Sequence, residues 1–169
     1  MRISPVSRVT GVILAAFTAF VLLATIAQAQ NSVPEFRNYP VAGKFTGKNA
    51  PLQLGRKDRM FRTRLKEAAR QKPNFAGHYI LTTWGCGMEC LMGAVIDART
   101  GKVYRIPFTL CCWGDEGSET FVPVEFRLDS KLIIFSGVRD EKQGAEGKHF
   151  YTFENNRFVP ISSVSKALP

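Results

Sequence analysis

The order of apolar and polar residues divides the chain into four stretches of different character. An uncharged apolar run fills residues 9–27, and a stretch rich in proline and glycine fills residues 30–55. Apolar residues at helical spacing follow over 59–71. From residue 76 onward, short β-branched and aromatic runs alternate with turn residues, which is the pattern of an antiparallel sheet. We therefore predict an α+β fold, in which one N-terminal amphipathic helix packs on an antiparallel meander sheet or partial barrel of about seven strands.

Local signals place these elements along the chain. Asp58 can cap the helix, Pro73 stops it, and Phe61, Leu65 and Ala68 form its apolar stripe. The predicted strands cover residues 76–84, 91–98, 102–108, 121–128, 131–137, 149–154 and 157–161.

The first residues carry the pattern of a secretory signal peptide. Arg2 and Arg8 precede the apolar run, and Ala27-Gln28-Ala29 supplies the small residues that a signal peptidase requires. The run is also nearly long enough to cross a bilayer as a helix, and this alternative stays open. We expect a periplasmic or secreted protein with no membrane span after signal cleavage. The predicted division is a signal peptide (1–29), an extended lead-in (30–55), a single α+β domain (56–161) and a loose C-terminal tail (162–169).

Basic residues are concentrated in the N-terminal third of the predicted mature chain. Residues 35–72 hold 11 Lys and Arg against three acidic residues, whereas residues 73–169 hold 10 against 11. A predicted basic surface on the helix comprises Arg59, Arg62, Arg64 and Arg70. Such a surface attracts an acidic envelope protein or an anionic surface, although a solvated helix face is the simpler interpretation. Nucleic acid is not expected, because an exported chain without a recognised binding motif is a poor candidate for it.

The predicted mature chain contains four cysteines, Cys86, Cys90, Cys111 and Cys112, and an oxidising compartment favours two disulfides among them. Fully extended, Cys86 and Cys90 would lie about 13 Å apart, so a bond between them requires a turn, which the neighbouring glycines allow. Adjacent cysteines have α-carbons only about 3.8 Å apart, so a bond between them is strained. We predict a Cys86–Cys90 bond, with Cys111 and Cys112 forming either a strained vicinal bridge or a pair regulated by reduction.

Sulfur side chains fall at every second position from Cys86 through Met88 and Cys90 to Met92. Thiolates and thioethers are soft ligands that suit Cu(I), and His78 could add an imidazole. This set defines an alternative interpretation, copper or thiol-redox handling in the periplasm. The principal interpretation requires no cofactor.

Three segments within residues 59–108 form a recognisable pattern. They are Asn-Phe-Ala-Gly-His-Tyr at 74–79, Trp-Gly-Cys-Gly-x-x-Cys at 84–90 and Ile-Asp-Ala-x-Thr-Gly-Lys-Val-Tyr at 96–104. The pattern resembles that of a family of uncharacterised, exported bacterial proteins. The resemblance implies export and implies no activity.

The sequence favours binding over catalysis. His78 with Cys86 or Cys90 could in principle supply a nucleophile and a base, which is a weak signal for an enzyme. We expect an exported, disulfide-stabilised binding module that inhibits or protects an envelope protein or binds a polyanion. Copper or thiol handling is the alternative, and catalysis comes third.

Overall fold

An antiparallel sheet of eight strands dominates the computed structural model, which describes residues 33–111 and 122–165. The strands are β1 (Tyr79–Gly87), β2 (Cys90–Asp97), β3 (Val103–Arg105), β4 (Leu110–Cys111), β5 (Val124–Phe126), β6 (Leu132–Arg139), β7 (Glu146–Glu154) and β8 (Arg157–Ser165). Their order in the sheet is β1-β2-β4-β6-β7-β8, with β3 beside β2 and β5 beside β6. Most neighbours in the sheet are also neighbours in sequence, because short turns join them as hairpins.

One α-helix, α1 (Arg62–Ala68), is present in the described part of the chain, and a 3₁₀ helix over Arg56–Phe61 leads into it. The sequence predicts a helix over 59–71, with Asp58 as its N-terminal cap. The Asp58 carboxylate instead accepts a hydrogen bond from the backbone N–H of Gly55 at 3.0 Å. Asp58 therefore holds the start of the 3₁₀ turn, and the regular helix begins four residues later.

Strand alternation puts apolar side chains on both faces of the sheet, since successive residues point to opposite sides. One face carries the aromatic core, whose buried members include Phe75, Tyr79, Leu81, Val95, Phe135, Tyr151 and Phe153. The other face carries the helix-side core, formed by Leu65, Ala68, Ile80, Trp84, Ala94, Ile96 and Ala98. A third cluster, Leu132, Ile134 and Phe150, is covered by Phe36 and Tyr39 of the lead-in.

The sheet is open, because no backbone ladder joins β1 to β8 within the described residues. Side chains nevertheless make contact between its two ends. The rings of Tyr79 on β1 and Phe153 on β7 lie 4.9 Å apart in an edge-to-face arrangement. The Tyr79 hydroxyl donates a hydrogen bond to Oδ1 of Asn156, in the turn between β7 and β8, at 3.0 Å. Strands from both ends of the sheet thus contribute side chains to the aromatic core.

Backbone hydrogen bonds fasten the lead-in to the sheet. The N–H of Phe45 donates to the carbonyl of Gly77 at 2.8 Å, and the N–H of Gln53 donates to that of Gly101 at 2.8 Å. These bonds make residues 41–53 a fixed layer beside β1 and the turn that follows β2. All described residues from Pro34 onward belong to one compact unit.

Several predicted boundaries differ from those observed. The sequence predicts seven strands, whereas the structure adds β4, which has only two residues. Strand β8 continues through Ser165, so residues 162–165, predicted as loose tail, pair with β7 as far as Gly147 opposite Ser165. The predicted signal peptide lies outside the described residues, as do 166–169. Among the described residues, no helix has both the length and the apolar character that a membrane span requires.

Candidate functional site

A concave basic cleft lies where the lead-in meets the end of helix α1. Its volume is about 680 Å³. Two chain segments, 44–49 from the lead-in and 69–73 after the helix, supply its walls, and Leu128 closes one side. This volume falls within the range of roughly 300–1,000 Å³ that is typical of ligand sites.

The side chain of Asn49 holds the two walls of the basic cleft together. Its Nδ2 donates hydrogen bonds to the carbonyl oxygens of Ala69 at 2.9 Å and Gln71 at 2.7 Å. The last carbonyls of a helix have no partner within the helix and carry the negative end of its dipole. Asn49 satisfies the carbonyl of Ala69, directly after α1, and that of Gln71 in the segment that follows, and it thereby reduces the repulsion of an anion by these carbonyls.

Glycine allows the lead-in wall to fold closely on itself. At Gly47 a Cβ atom would lie 2.6 Å from the ring of Phe45, which packs against the helix-side core. A larger residue would have to displace that ring. Glycine at position 47 therefore allows the close turn of the backbone that places Lys44 and Lys48 beside the cleft.

Positive charge dominates the lining. The exposed cations that line the cleft are Lys44, Lys48, Arg70 and Lys72, and no carboxylate is among the described residues of the lining. None of these four cations forms an ion pair within residues 33–111 and 122–165. A concave surface with charge of one sign concentrates counter-ions of the opposite sign. The arrangement can bind an anionic group.

The predicted basic surface coincides with the cleft only in part. Arg70 lines the cleft, whereas Arg59, Arg62 and Arg64 are exposed elsewhere. Arg62 and Arg64 lie on helix α1, and Arg59 lies on the 3₁₀ helix before it.

Three cleft residues, Lys44, Lys48 and Asn49, were not predicted as site residues, because they fall in the predicted extended lead-in. A signal was present, since Gly43-Lys44 and Gly47-Lys48 repeat a glycine–lysine pair at a spacing of four. The pairing of Asn49 with the helix end joins residues 20 and 22 positions apart, and no local pattern reveals it.

The predicted disulfide between Cys86 and Cys90 is present. Their α-carbons lie 5.0 Å apart across the tight turn between β1 and β2. Cys111 is also disulfide-bonded, and no free cysteine occurs among the residues that the structure describes. Cys112 lies outside them.

The alternative set of copper ligands is not assembled at one place. Cys86 and Cys90 are bonded to each other, Met88 is 97 % exposed at the hairpin tip, and Met92 packs against the helix-side core. His78 lies at the opposite end of β1, about 26 Å from Cys86 along an extended strand. The described part of the chain holds no group of three or more His, Cys, Asp and Glu side chains placed to bind a metal ion.

His78 has its own electrostatic surroundings. Its Nε2 lies 3.8 Å from Oδ1 of Asp97. Burial lowers the pKa of His78, and the charge of Arg99 lowers it further, while Asp97 opposes both effects. The imidazole is therefore neutral at neutral pH. Because Cys86 and Cys90 lie far from it, His78 does not form the nucleophile–base pair that the sequence left open.

Comparison with known proteins adds no function. No family model, no curated protein and no solved structure matches the chain. The basic cleft itself is therefore the starting point for a functional proposal.

Proposed function

We propose that this protein is an exported binding module that holds an anionic partner, an acidic envelope protein or a polyanion, in the basic cleft. The observation that carries the proposal is a set of four cations around one concave surface, which have no ion-pair partner and no neighbouring carboxylate among the described residues of the lining. No observation in the described part of the chain favours copper handling.

The location of the charges supports binding more than stability. Exposed cations contribute little to folding unless they are paired. Lys44, Lys48, Arg70 and Lys72 are exposed and unpaired within the described chain, so their clustering brings no internal stabilisation. Like charges held close together also repel one another. An anionic partner removes that repulsion, and it gains several charge-assisted contacts at once.

The cleft has the fixed geometry that a binding surface needs. Asn49 ties both walls together, and the Phe45 backbone is hydrogen-bonded to Gly77 of the sheet. Cations on fixed walls lose less freedom on binding than cations on a loose loop. An oxidising envelope compartment accords with the Cys86–Cys90 disulfide on the same sheet.

The test compares two variants with the same change in net charge. The cleft variant replaces Lys44, Lys48, Arg70 and Lys72 with Gln. The control variant replaces four exposed cations outside the cleft with Gln: Lys102, Lys142, Lys148 and Arg157. Each exposed ion pair contributes about 0.5 kcal/mol, so the cleft variant should bind a polyanion about thirtyfold more weakly. The control variant should change affinity by less than about threefold.

Titration calorimetry measures these affinities with three probes: heparin, poly-glutamate and vesicles rich in phosphatidylglycerol. The parent protein should bind at least one probe, and raising the salt should weaken binding because ions screen exposed charges. The probe bound most tightly distinguishes a sulfated polymer, an acidic protein and a lipid surface. Equal loss of affinity in both variants would show only a general effect of net charge and would contradict the proposal.

A further inference from the structure

A second pocket lies at the end of the sheet where β1 begins and the turn after β7 folds over it. Its volume is about 280 Å³, just below the range of roughly 300–1,000 Å³ that is typical of small-molecule sites. Its polar side chains come from four separate segments of the chain: His78, Tyr79, Arg99, Lys131, Glu154 and Asn155. Functional side chains commonly lie on loops that a rigid sheet holds in place.

A strained loop carries His78 into this pocket. Ala76 has a φ of +42°, which is unfavourable for a residue with a side chain. The loop keeps this conformation because its backbone is bonded on several sides. Gly77 donates to the carbonyl of Leu128 at 2.7 Å, and the carbonyl of His78 accepts from Ala98 at 3.0 Å. Backbone strain that the surroundings maintain is concentrated at functional sites, so the conformation at Ala76 points to one here.

A second rigid turn, between β2 and β3, positions Arg99. The carboxylate of Asp97 accepts hydrogen bonds from the backbone N–H of Arg99 at 2.8 Å and from the hydroxyl of Thr100 at 3.0 Å. The N–H of Gly101 donates to the Asp97 carbonyl at 2.7 Å. Asp97 thereby fixes the backbone of Arg99 and leaves its guanidinium exposed.

The guanidinium of Arg99 forms no ion pair within residues 33–111 and 122–165, and it lies 6.0 Å from the Phe45 ring. Lys131 lies 3.9 Å from the carboxylate of Glu154, so these two charges offset each other. Among the charged side chains that line the pocket, Arg99 is therefore the one without an ion-pair partner in the described chain. The buried Asp97 carboxylate lies 3.8 Å from Nε2 of His78, and it already accepts hydrogen bonds from the Arg99 backbone and the Thr100 hydroxyl. A guanidinium binds a carboxylate or phosphate through two parallel hydrogen bonds.

The aromatic residues beside Arg99 complete the site. The Nε2 of His78 lies 3.8 Å from Asp97, beyond hydrogen-bond distance, so it can bond a ligand. Tyr79 stays protonated because burial raises its pKa to about 12, and its hydroxyl donates to Asn156. The half-buried Val41 lines the pocket as an apolar residue.

We propose that this pocket binds a small molecule that bears one carboxylate or phosphate group, held between Arg99 and His78. The apolar body of the ligand lies against Val41. This site is separate from the basic cleft, and it would be occupied whether or not the cleft binds a polyanion.

The experiment is a titration of the isotope-labelled, full-length mature protein followed by NMR. The probes are propionate and glycerol phosphate, each compared with sodium chloride at equal ionic strength. Saturable shifts should be confined to the His78 loop, the turn at Arg99 and the turn at Asn155, with a Kd of about 1 mM or tighter. The pKa of the His78 ring should rise on saturation, because a nearby anion favours the imidazolium form.

Arg99→Gln should weaken probe binding by at least about tenfold, since it removes the charged half of a bidentate contact. Arg157→Gln is the matched control, because Arg157 is exposed near the same end of the sheet and does not line the pocket. Saturation by propionate alone or by glycerol phosphate alone supports the proposal and identifies the class of ligand. Absence of saturable shifts with both probes, or equal weakening by Arg99→Gln and Arg157→Gln, overturns it. The quadruple cleft variant should bind the probes normally, so failure of either proposal leaves the other intact.

Discussion

Removal of the Cys86–Cys90 disulfide should destabilise the protein while leaving the basic cleft and the pocket at Arg99 in place. The two cysteines are four positions apart, so the bond closes a loop of five residues. In the chain-entropy model, a crosslink of this span restricts the unfolded chain by about 2 kcal/mol at 25 °C. The hairpin of β1 and β2 holds the same residues close together in the folded state through its own ladder. The loss of stability should therefore come from the greater conformational freedom of the unfolded chain.

The perturbation is the double substitution Cys86→Ser and Cys90→Ser, which leaves no unpaired thiol at the turn. For a domain of about 140 residues, a loss of about 2 kcal/mol corresponds to a fall in Tm of about 5–10 °C. Thermal unfolding followed by circular dichroism measures it. Met88→Ser is the control, because Met88 is 97 % exposed in the same turn and contributes no packing. Its Tm should stay within about 1 °C of the parent value.

Two results would refute this reasoning. A Tm within about 1 °C of the parent for the double variant would mean that the crosslink does not restrict the unfolded chain as calculated. Loss of the β-sheet signal at 25 °C would mean that the ladder of β1 and β2 cannot form without the bond. Both variants should retain polyanion and propionate binding, since the turn lines neither the cleft nor the pocket.

Two further predictions concern stability. His149 is 2 % exposed, and its Nε2 donates to the carbonyls of Gly137 and Ala145. Burial lowers the pKa of His149; the hydrogen bonds to the two carbonyls oppose this effect, the charge of Arg139 adds to it, and the net shift is downward. The unfolded chain therefore binds a proton at His149 more readily than the folded chain does. The contribution of His149 to the free energy of unfolding should be fully present above about pH 6.5 and should be lost as the pH falls below it. Equal urea midpoints at pH 7.5 and pH 5.5 would contradict this prediction. Leu65→Ala should cost about 2–5 kcal/mol in urea unfolding, because Leu65 is 1 % exposed between α1 and the sheet. Thr63→Ala on the exposed side of the same helix is its control and should stay within about 0.5 kcal/mol.

Local patterns in the sequence predicted most of the sheet because turn residues separate its strands. Asn155-Asn156, for example, has positive φ at both positions and joins β7 to β8, as such a pair allows. The two residues of β4 escaped prediction, since Leu110 joins the sheet through partners on distant strands, opposite Leu91 and Arg139. The end of β8 escaped it because Ser162–Ser165 has little apolar alternation and forms a strand by pairing with β7.

The candidate sites were harder to predict than the fold. The bond between Cys86 and Cys90 was accessible to sequence analysis, because glycine spacing and chain geometry restrict the pairing. The basic cleft was only partly accessible, since it depends on the reach of Asn49 to a helix 20 residues away. The pocket at Arg99 depends on four loops that meet only in the folded chain. Local sequence patterns predict each turn, but they do not predict which turns lie next to one another in the folded chain.

The contact between Tyr79 and Asn156 spans 77 positions and has a consequence for the order in which the protein folds. Strand β1 is synthesised long before the hairpin of β7 and β8, so its aromatic face stays uncovered until the last quarter of the chain is available. Closing so long a loop costs entropy before any contact compensates for it, and domains rich in such contacts fold slowly. The aromatic core is therefore completed late, and the pocket that holds Arg99 and His78 takes its final shape at the same step.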